Sequence, residues 1–115
     1  FLFRNAEILS VIANTETDFH YDKDFIEKGI KLLLVNQFHD ILPGTSIHEA
    51  HTEALLSFEE MTKIGTTIKN SALHALNKTV SANCPSIVVW NYNTHSTSSL
   101  VVCEIPHEAA SIKGL

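Results

Sequence analysis

Basic residues are scarce in this 115-residue chain: eight Lys and Arg stand against thirteen Asp and Glu, for a formal net charge of −5. The eight are scattered rather than gathered into a patch, so no nucleic-acid partner is expected. Cysteine is scarcer still. Cys84 and Cys103 are too few for a disulfide framework and lack metal-ligand spacing to each other. Both read as small packing residues in a reducing compartment. No apolar run approaches the length of a membrane span and no signal-peptide pattern opens the chain, so no membrane partner is expected either. Glycine and proline are few. What remains, 44% hydrophobic and 18% charged, is the composition of a soluble globular protein. Its length suits one domain or pieces of two. One sequon, Asn77-Lys78-Thr79, falls on an expected helix and carries no message about secretion.

The chain opens on Phe1, already in helical register, with Leu2, Ala6, Leu9 and Ala13 on one face and Phe1, Ile8 and Ile12 beside them. No capping residue precedes that helix, so the expectation is a segment of a longer polypeptide. After a polar connection, Asp22 is the expected N-cap of a second helix, with Tyr21 and Ile26 forming a hydrophobic staple. That helix runs through DFIEKGIKLLLVNQFH. Its apolar surface (Phe25, Ile26, Ile30, residues 32–35, Phe38) is broad enough to predict burial on more than one side. Gly29 in its interior predicts close helix packing, which would offset a cost of about 1 kcal/mol relative to alanine.

Pro43-Gly44 stops this helix. Ser46 and Glu49 then have the spacing of a capping box for a third, expected from about Ser46 to Val80 and roughly 50 Å long. Ile47, Ala54, Met61, Ile68 and Ala75 alternate with His51, Phe58, Gly65 and Ala72 in a coiled-coil-like seam. Three such helices with short connections predict an antiparallel three-helix bundle over residues 1–82. From residue 83 the character changes. Residues 86–90 (SIVVW) and 100–105 (LVVCEI) read as strands flanking a polar turn, a β-hairpin that begins a β-sandwich domain over residues 83–115. Alone, such a hairpin is marginal in water.

Seven histidines invite metal chemistry. His48-Glu49-Ala50-His51 is one residue short of the H-E-x-x-H spacing, and His51 falls in the seam. His20, His74, His95 and His107 are isolated and read as surface residues. Glu49, Glu53, Glu59 and Glu60 form a solvated helix face, with Lys63 set to pair with Glu59. A di-iron template needs Glu-x-x-His on two helices, and neither Asp40 nor Glu49 has a histidine three residues on. His39-Asp40 differs by position. It closes an apolar helix immediately before a Pro-Gly break, where both side chains can project into an adjoining cavity. Imidazole is a good zinc ligand, and a carboxylate can ligate or accept hydrogen bonds from sugar hydroxyls. The plain structural alternative is a histidine stabilised by the helix dipole, by roughly 0.3–1 kcal/mol.

The run LLLVNQFHDILPGTSIHEA closely resembles the signature of the retaining α-mannosidases of glycoside hydrolase family 38. Arg4-Asn5-Ala6-Glu7 upstream, the Tyr-Asp-capped helix and Val88-Val89-Trp90-Asn91 downstream resemble the family's surroundings of that signature. Asn91-Tyr92-Asn93-Thr94-His95 departs from the Asn-Pro turn common in the family, at no catalytic position. The Phe38/Ile41-Leu42-Pro43 form resembles the cytosolic and bacterial branch, which makes the cytoplasm the expected location.

The resemblance implies a bundle lying between a catalytic α/β domain and C-terminal β-sandwich domains of the same chain, with the active site where bundle and catalytic domain meet. It implies that His39 is one of the ligands of a zinc ion; the ligand chemistry itself does not choose zinc over cobalt, since histidine and carboxylate sites accept both. It implies that Asp40 contacts hydroxyls of a mannose-containing oligosaccharide or mannoside. The chemistry implied is double displacement with retention, by a nucleophile and an acid/base that this segment lacks. Zinc would grip vicinal hydroxyls of the sugar. The segment alone is expected to be inert. The rival reading is a non-catalytic helical-bundle interaction or dimerisation module, carried by the seam from Ile47 to Ala75.

Overall fold

A computed structural model describes residues 1–84 and 86–104 of the chain. Three helices are present: α1 (Leu2–Glu16), α2 (Lys23–Asn36) and α3 (His48–Asn77). Local chemistry sets their ends. Nothing caps α1 at Phe1, as its sequence indicates, whereas α2 starts on the expected cap. The Asp22 carboxylate accepts a hydrogen bond from the Phe25 amide at 2.9 Å, an arrangement worth about 1 kcal/mol. Tyr21 packs on the cluster that contains Ile26, completing the staple. Its hydroxyl donates to Glu7 Oε1 at 3.2 Å. Loss of solvent around the phenol, and then the Glu7 charge, push its pKa up.

The capping box expected for α3 is not made. The helix begins at His48 behind Ile47, which offers no side-chain cap, and Ser46 spends its hydroxyl on the Asp40 carbonyl instead. At its far end α3 stops at Asn77, short of the expected Val80, where both the Thr79 amide, at 3.0 Å, and Thr79 Oγ1, at 2.8 Å, donate to the Leu76 carbonyl.

Cross-helix contacts give the topology. Glu7 lies by Tyr21 and Phe3 by Gly29, so α1 and α2 run in opposite directions. Lys28 pairs with Glu60 at 2.7 Å and Asn36 reaches Ser57 at 2.8 Å, so α2 and α3 are opposed as well. The result is the expected up-down-up bundle, with α3 as the strut on which both shorter helices lie.

Its core is Phe3, Ala6, Ile26, Met61, Ile64 and Ile68, extended by Leu9, Ala13, Ala72 and Leu76. The seam operates only in part. Met61, Gly65, Ile68 and Ala72 are buried, but Ile47, His51 and Phe58 are exposed. Gly29 is where the packing is closest. A Cβ there would overlap the Phe3 ring and stand 3.0 Å from Ile64 Cγ2. Close packing thus accounts for a glycine in mid-helix. The broad apolar face of α2 is a different matter, because Leu34, Val35 and Phe38 are exposed. Burial on more than one side is not achieved, since among the described residues only α1 and α3 are available to cover it.

The chain divides into two compact units, 1–79 and 80–115. In the second, among the described residues, there is no helix or strand. The expected hairpin is not formed over residues 86–90 and 100–104; Ile105, the last residue of its second strand, lies outside the described residues, as does His107. Two strands have one face to bury and nothing of their own to bury it on. Local order is an Asx turn, in which Asn91 Oδ1 accepts from the Asn93 amide at 3.0 Å and Asn91 Nδ2 donates to the His95 carbonyl at 3.1 Å. Cys84 and Cys103 are free and exposed, not the packing residues their small size suggests. No helix among the described residues is long and apolar enough to cross a membrane.

Candidate functional site

The α2 helix ends at Asn36, so His39 and Asp40 lie on a turn past it rather than on its last residues. The helical bonds tighten first. Gln37 and Phe38 amides reach back three residues, to Leu34 and Val35, at 3.2 and 3.1 Å. A second coil follows, with the Ile41 and Leu42 amides both donating to the Phe38 carbonyl and Gly44 donating to Ile41. Gly44 sits at φ 72°, in the left-handed region that glycine enters without cost, with no atom within 4 Å of where a Cβ would be. The chain then reverses into α3. The Asp40 carbonyl is held from across the turn by Ser46 Oγ at 2.8 Å and, more loosely, by Thr45 Oγ1 at 3.4 Å.

The backbone of Asp40 is therefore pinned while its side chain is not. His39 and Asp40 side chains are 79% and 56% exposed, with Nε2 and Oδ2 3.6 Å apart. That distance is too long for a hydrogen bond and leaves both groups available to a third party. The Phe38 ring leans on the imidazole at 4.3 Å between centroids, tilted by 48°. Phe38 and Leu42 of the same turn, and Ile47 within the connection, are exposed apolar side chains, as are Leu34 and Val35 on α2; Leu55 and Phe58 of α3, also exposed, line a shallow groove of their own with Glu59, Thr62, Lys63 and Thr66. Asn36 alone in this stretch of α2 is buried, with its Nδ2 donating to the Leu32 carbonyl at 2.9 Å and to Ser57 Oγ.

The remaining histidines are not brought into a site. His20, His48, His51, His74 and His95 are all exposed. Among the described residues, no group of three or more His, Cys, Asp or Glu is placed to hold a metal ion. Zinc takes three or four protein ligands, so these residues cannot form a zinc site by themselves. His39, exposed and fixed on a turn, fits the role of a single ligand. The acidic face of α3 is solvated as expected, but its pairing differs: Glu60 bridges to Lys28 of α2, and Glu59 and Lys63 do not pair. A wide, shallow groove of about 960 Å³ opens at the opposite end of the bundle, lined by Glu16, Asp18, Asn70, His74 and Lys78. It carries acid and base on its rim and has no part in the His39 turn. Sequence reasoning passed over the Asn36–Ser57 hydrogen bond, although an amide among so many apolar neighbours was the available signal.

A family model described as the alpha mannosidase middle domain matches residues 1–76. The human protein Alpha-mannosidase 2C1 is 32% identical to the chain over 76 residues, which are 65% of this chain and 7% of that protein. The chain thus matches a small part of that relative's length. No solved structure matches it significantly.

Proposed function

Because the chain belongs to the α-mannosidase middle-domain family, we propose that it serves as one segment of a zinc-dependent retaining α-mannosidase, to whose active site it contributes His39 and Asp40. The observation that carries this reading is the pinned turn. An imidazole and a carboxylate stand exposed side by side on a backbone held at both ends, within the matched residues, and rimmed by apolar side chains with no cover of their own. A histidine and aspartate kept only for fold stability would be expected to make bonds inward.

In this reading the exposed apolar end, Phe38, Leu42, Ile47 and their neighbours, is covered by the catalytic domain of the same chain, and covering it encloses the polar pair. His39 offers a ring-nitrogen lone pair to the metal, which requires its neutral form. Asp40 accepts hydrogen bonds from hydroxyls of the mannose unit in the reacting subsite and thereby orients the ring. Phe38 limits the swing of the imidazole, and the Ser46 bond to the Asp40 carbonyl fixes the backbone from which the carboxylate projects. Bound zinc, or cobalt in its place, supplies a positive charge that polarises sugar hydroxyls. The nucleophile and acid/base of a retaining mechanism belong to the remainder of the enzyme, and residues 1–115 alone are inert. The substrate class is a mannose-containing oligosaccharide or mannoside. The Phe38/Ile41-Leu42-Pro43 form of the signature, which resembles the cytosolic and bacterial branch, supports the cytoplasm as the location.

The test is His39→Ala in the full-length protein, read by zinc content after dialysis and by turnover of an aryl α-mannoside. Zinc retention and activity are both expected to fall by at least about 100-fold, the scale on which metal sites respond to damaged ligation. Unchanged zinc content would remove His39 from the ligand set. The rival dimerisation reading is left with the exposed part of its seam, Ile47, His51 and Phe58, because Met61, Gly65, Ile68 and Ala72 are spent inside the bundle.

A further inference from the structure

We infer that Asn36, through Ser57, is the positioning residue that fixes the His39–Asp40 turn on α3, an inference that rests on the role of that turn proposed above. Asn36 is only 3% exposed, yet its neighbours Val35 and Gln37 are exposed, as is Phe38. It is the last residue of α2 and its last buried one. An apolar side chain would fill such a place without penalty. The amide instead leaves its Oδ1 buried with no partner, which is unfavourable for folding.

The geometry shows what the amide does there. Its Nδ2 donates at 2.9 Å to the Leu32 carbonyl and at 2.8 Å to Ser57 Oγ. The Leu32 carbonyl can only accept, so the nitrogen must face it, and the orientation of the amide is thereby determined. One planar group thus spans the final turn of α2 and the flank of α3. His39 is three residues further on, and between them the backbone is held only by short-range turn bonds. The direction in which the turn leaves α2 is set by how the last turn of α2 is seated. Asn36–Ser57 is the polar bond that seats it. A hydrophobic contact would hold the two helices together but would permit sliding and rotation. A hydrogen bond with a determined amide specifies one register.

The test uses the full-length protein with Ser57→Ala and Asn36→Leu, which remove the bond at near-constant volume, and Ser57→Thr, which keeps a hydroxyl. Amide hydrogen exchange of residues 37–44 is the primary readout. In Ser57→Ala and Asn36→Leu it is expected to speed up by about tenfold with exchange of α1 unchanged, and in Ser57→Thr to match the parent. The catalytic readout follows: kcat lowered by about tenfold, KM nearly unchanged and zinc lost faster to a chelator, as when groups supporting a metal ligand are removed. Parental exchange in residues 37–44 would overturn the inference, and so would acceleration spread evenly over all three helices, which is the mark of a merely structural bond. His39→Ala, run alongside, separates the two claims. If that variant keeps its zinc the ligand reading falls, while exchange in residues 37–44 still decides for or against Asn36.

Discussion

One bundle contains two unlike halves, although the same two helices run through both. In the half built from residues 3–29 and 61–76, the apolar positions of all three helices meet. Phe3 wedges against Gly29 and Ile64, and Ala6, Ala13 and Ala72 are fully buried. In the other half, α2, α3 and their connection also carry large apolar residues, Leu34, Val35, Phe38, Ile47, Leu55 and Phe58, and every one of these is exposed. Periodicity therefore states which face is apolar, and the number of available partners decides whether that face is buried. α1, with its 15 residues, is half the length of the 30-residue α3 and covers only its C-terminal part. Scattered exposed apolar residues are ordinary on a protein surface. Phe38 and Leu42, flanking an exposed histidine and aspartate on one turn, are the kind of apolar exposure that marks an interface.

The largest effect should come from the open half and should not be one of stability. His39→Ala removes a side chain that is mostly exposed and bears on nothing but its neighbours, so the melting temperature should barely move while zinc retention and turnover fall by at least about 100-fold. A large loss of stability in that variant would mean the turn is part of the core, and the contrast between the halves would collapse. Next in size is a matched pair of truncations. Ile64→Ala, in the packed half, should cost about 2–5 kcal/mol in urea unfolding of the 115-residue chain. Leu55→Ala, in the open half, should change it by no more than about 0.5 kcal/mol. In the full-length protein Leu55→Ala should cost measurably more if the proposed neighbouring domain covers that face. Equal costs in both contexts would leave that face without an occupant.

The packed half was largely legible in the sequence and the open half was not. Asp22 and Tyr21 act locally, so their cap and staple follow from a few adjacent residues. Ala6, Leu9 and Ala13 follow from period alone. Phe3 was missed because it lies off the stripe of Leu2 and Ala6, and its burial depends on a cleft opened by Gly29 on another helix. The capping box failed because α3 begins behind Ile47, one residue later than the spacing indicates, which leaves Ser46 in the turn, where its hydroxyl donates to the Asp40 carbonyl. The proposed site rests on the resemblance and on the placement of His39-Asp40 before Pro43-Gly44. Its exact perch, on a turn rather than a helix end, was not, because helix termination at Asn36 depends on the three-residue bonds that tighten after it.

Two glycines sharpen the same contrast at smaller amplitude. Gly29→Ala places a methyl group into the Phe3 ring and should cost about 1–3 kcal/mol by overpacking. Its effect should be relieved by Phe3→Leu. Gly44→Ala meets no atom at all, but the residue must hold φ 72°, so its cost should be about 1–2 kcal/mol of backbone strain. No substitution of a neighbour should relieve it. Both are read by thermal melts, single and double variants together. Relief of Gly44→Ala by a packing change would show that the open half is denser than its exposure indicates.

The smallest effect belongs to the outer surface of α2, where Lys31 and Glu27 pair at 2.7 Å one turn apart. The hydrogen bond from Lys31, and then its charge, hold the Glu27 carboxyl below its ordinary value of 4.5, and the same bond holds the Lys31 ammonium above 10.5. A lowered carboxyl pKa gives stability that is present above the ordinary value and is lost as pH falls through the lowered one. A raised ammonium pKa gives stability that is present below 10.5 and is lost as pH rises through the raised value. The pair should therefore help the fold only between those limits, and weakly, because both side chains are at least half exposed and screened by water and salt. Glu27→Gln should lower the melting temperature slightly at neutral pH and low salt, and leave it unchanged at high salt or strongly acidic pH. Lys28–Glu60 offers the comparison, since it has the same 2.7 Å separation but joins α2 to α3. If Glu60→Gln is as small in effect and as salt-sensitive as Glu27→Gln, surface charge contributes nothing to seating α2. That task would then fall to Ile26, Gly29 and the buried amide of Asn36.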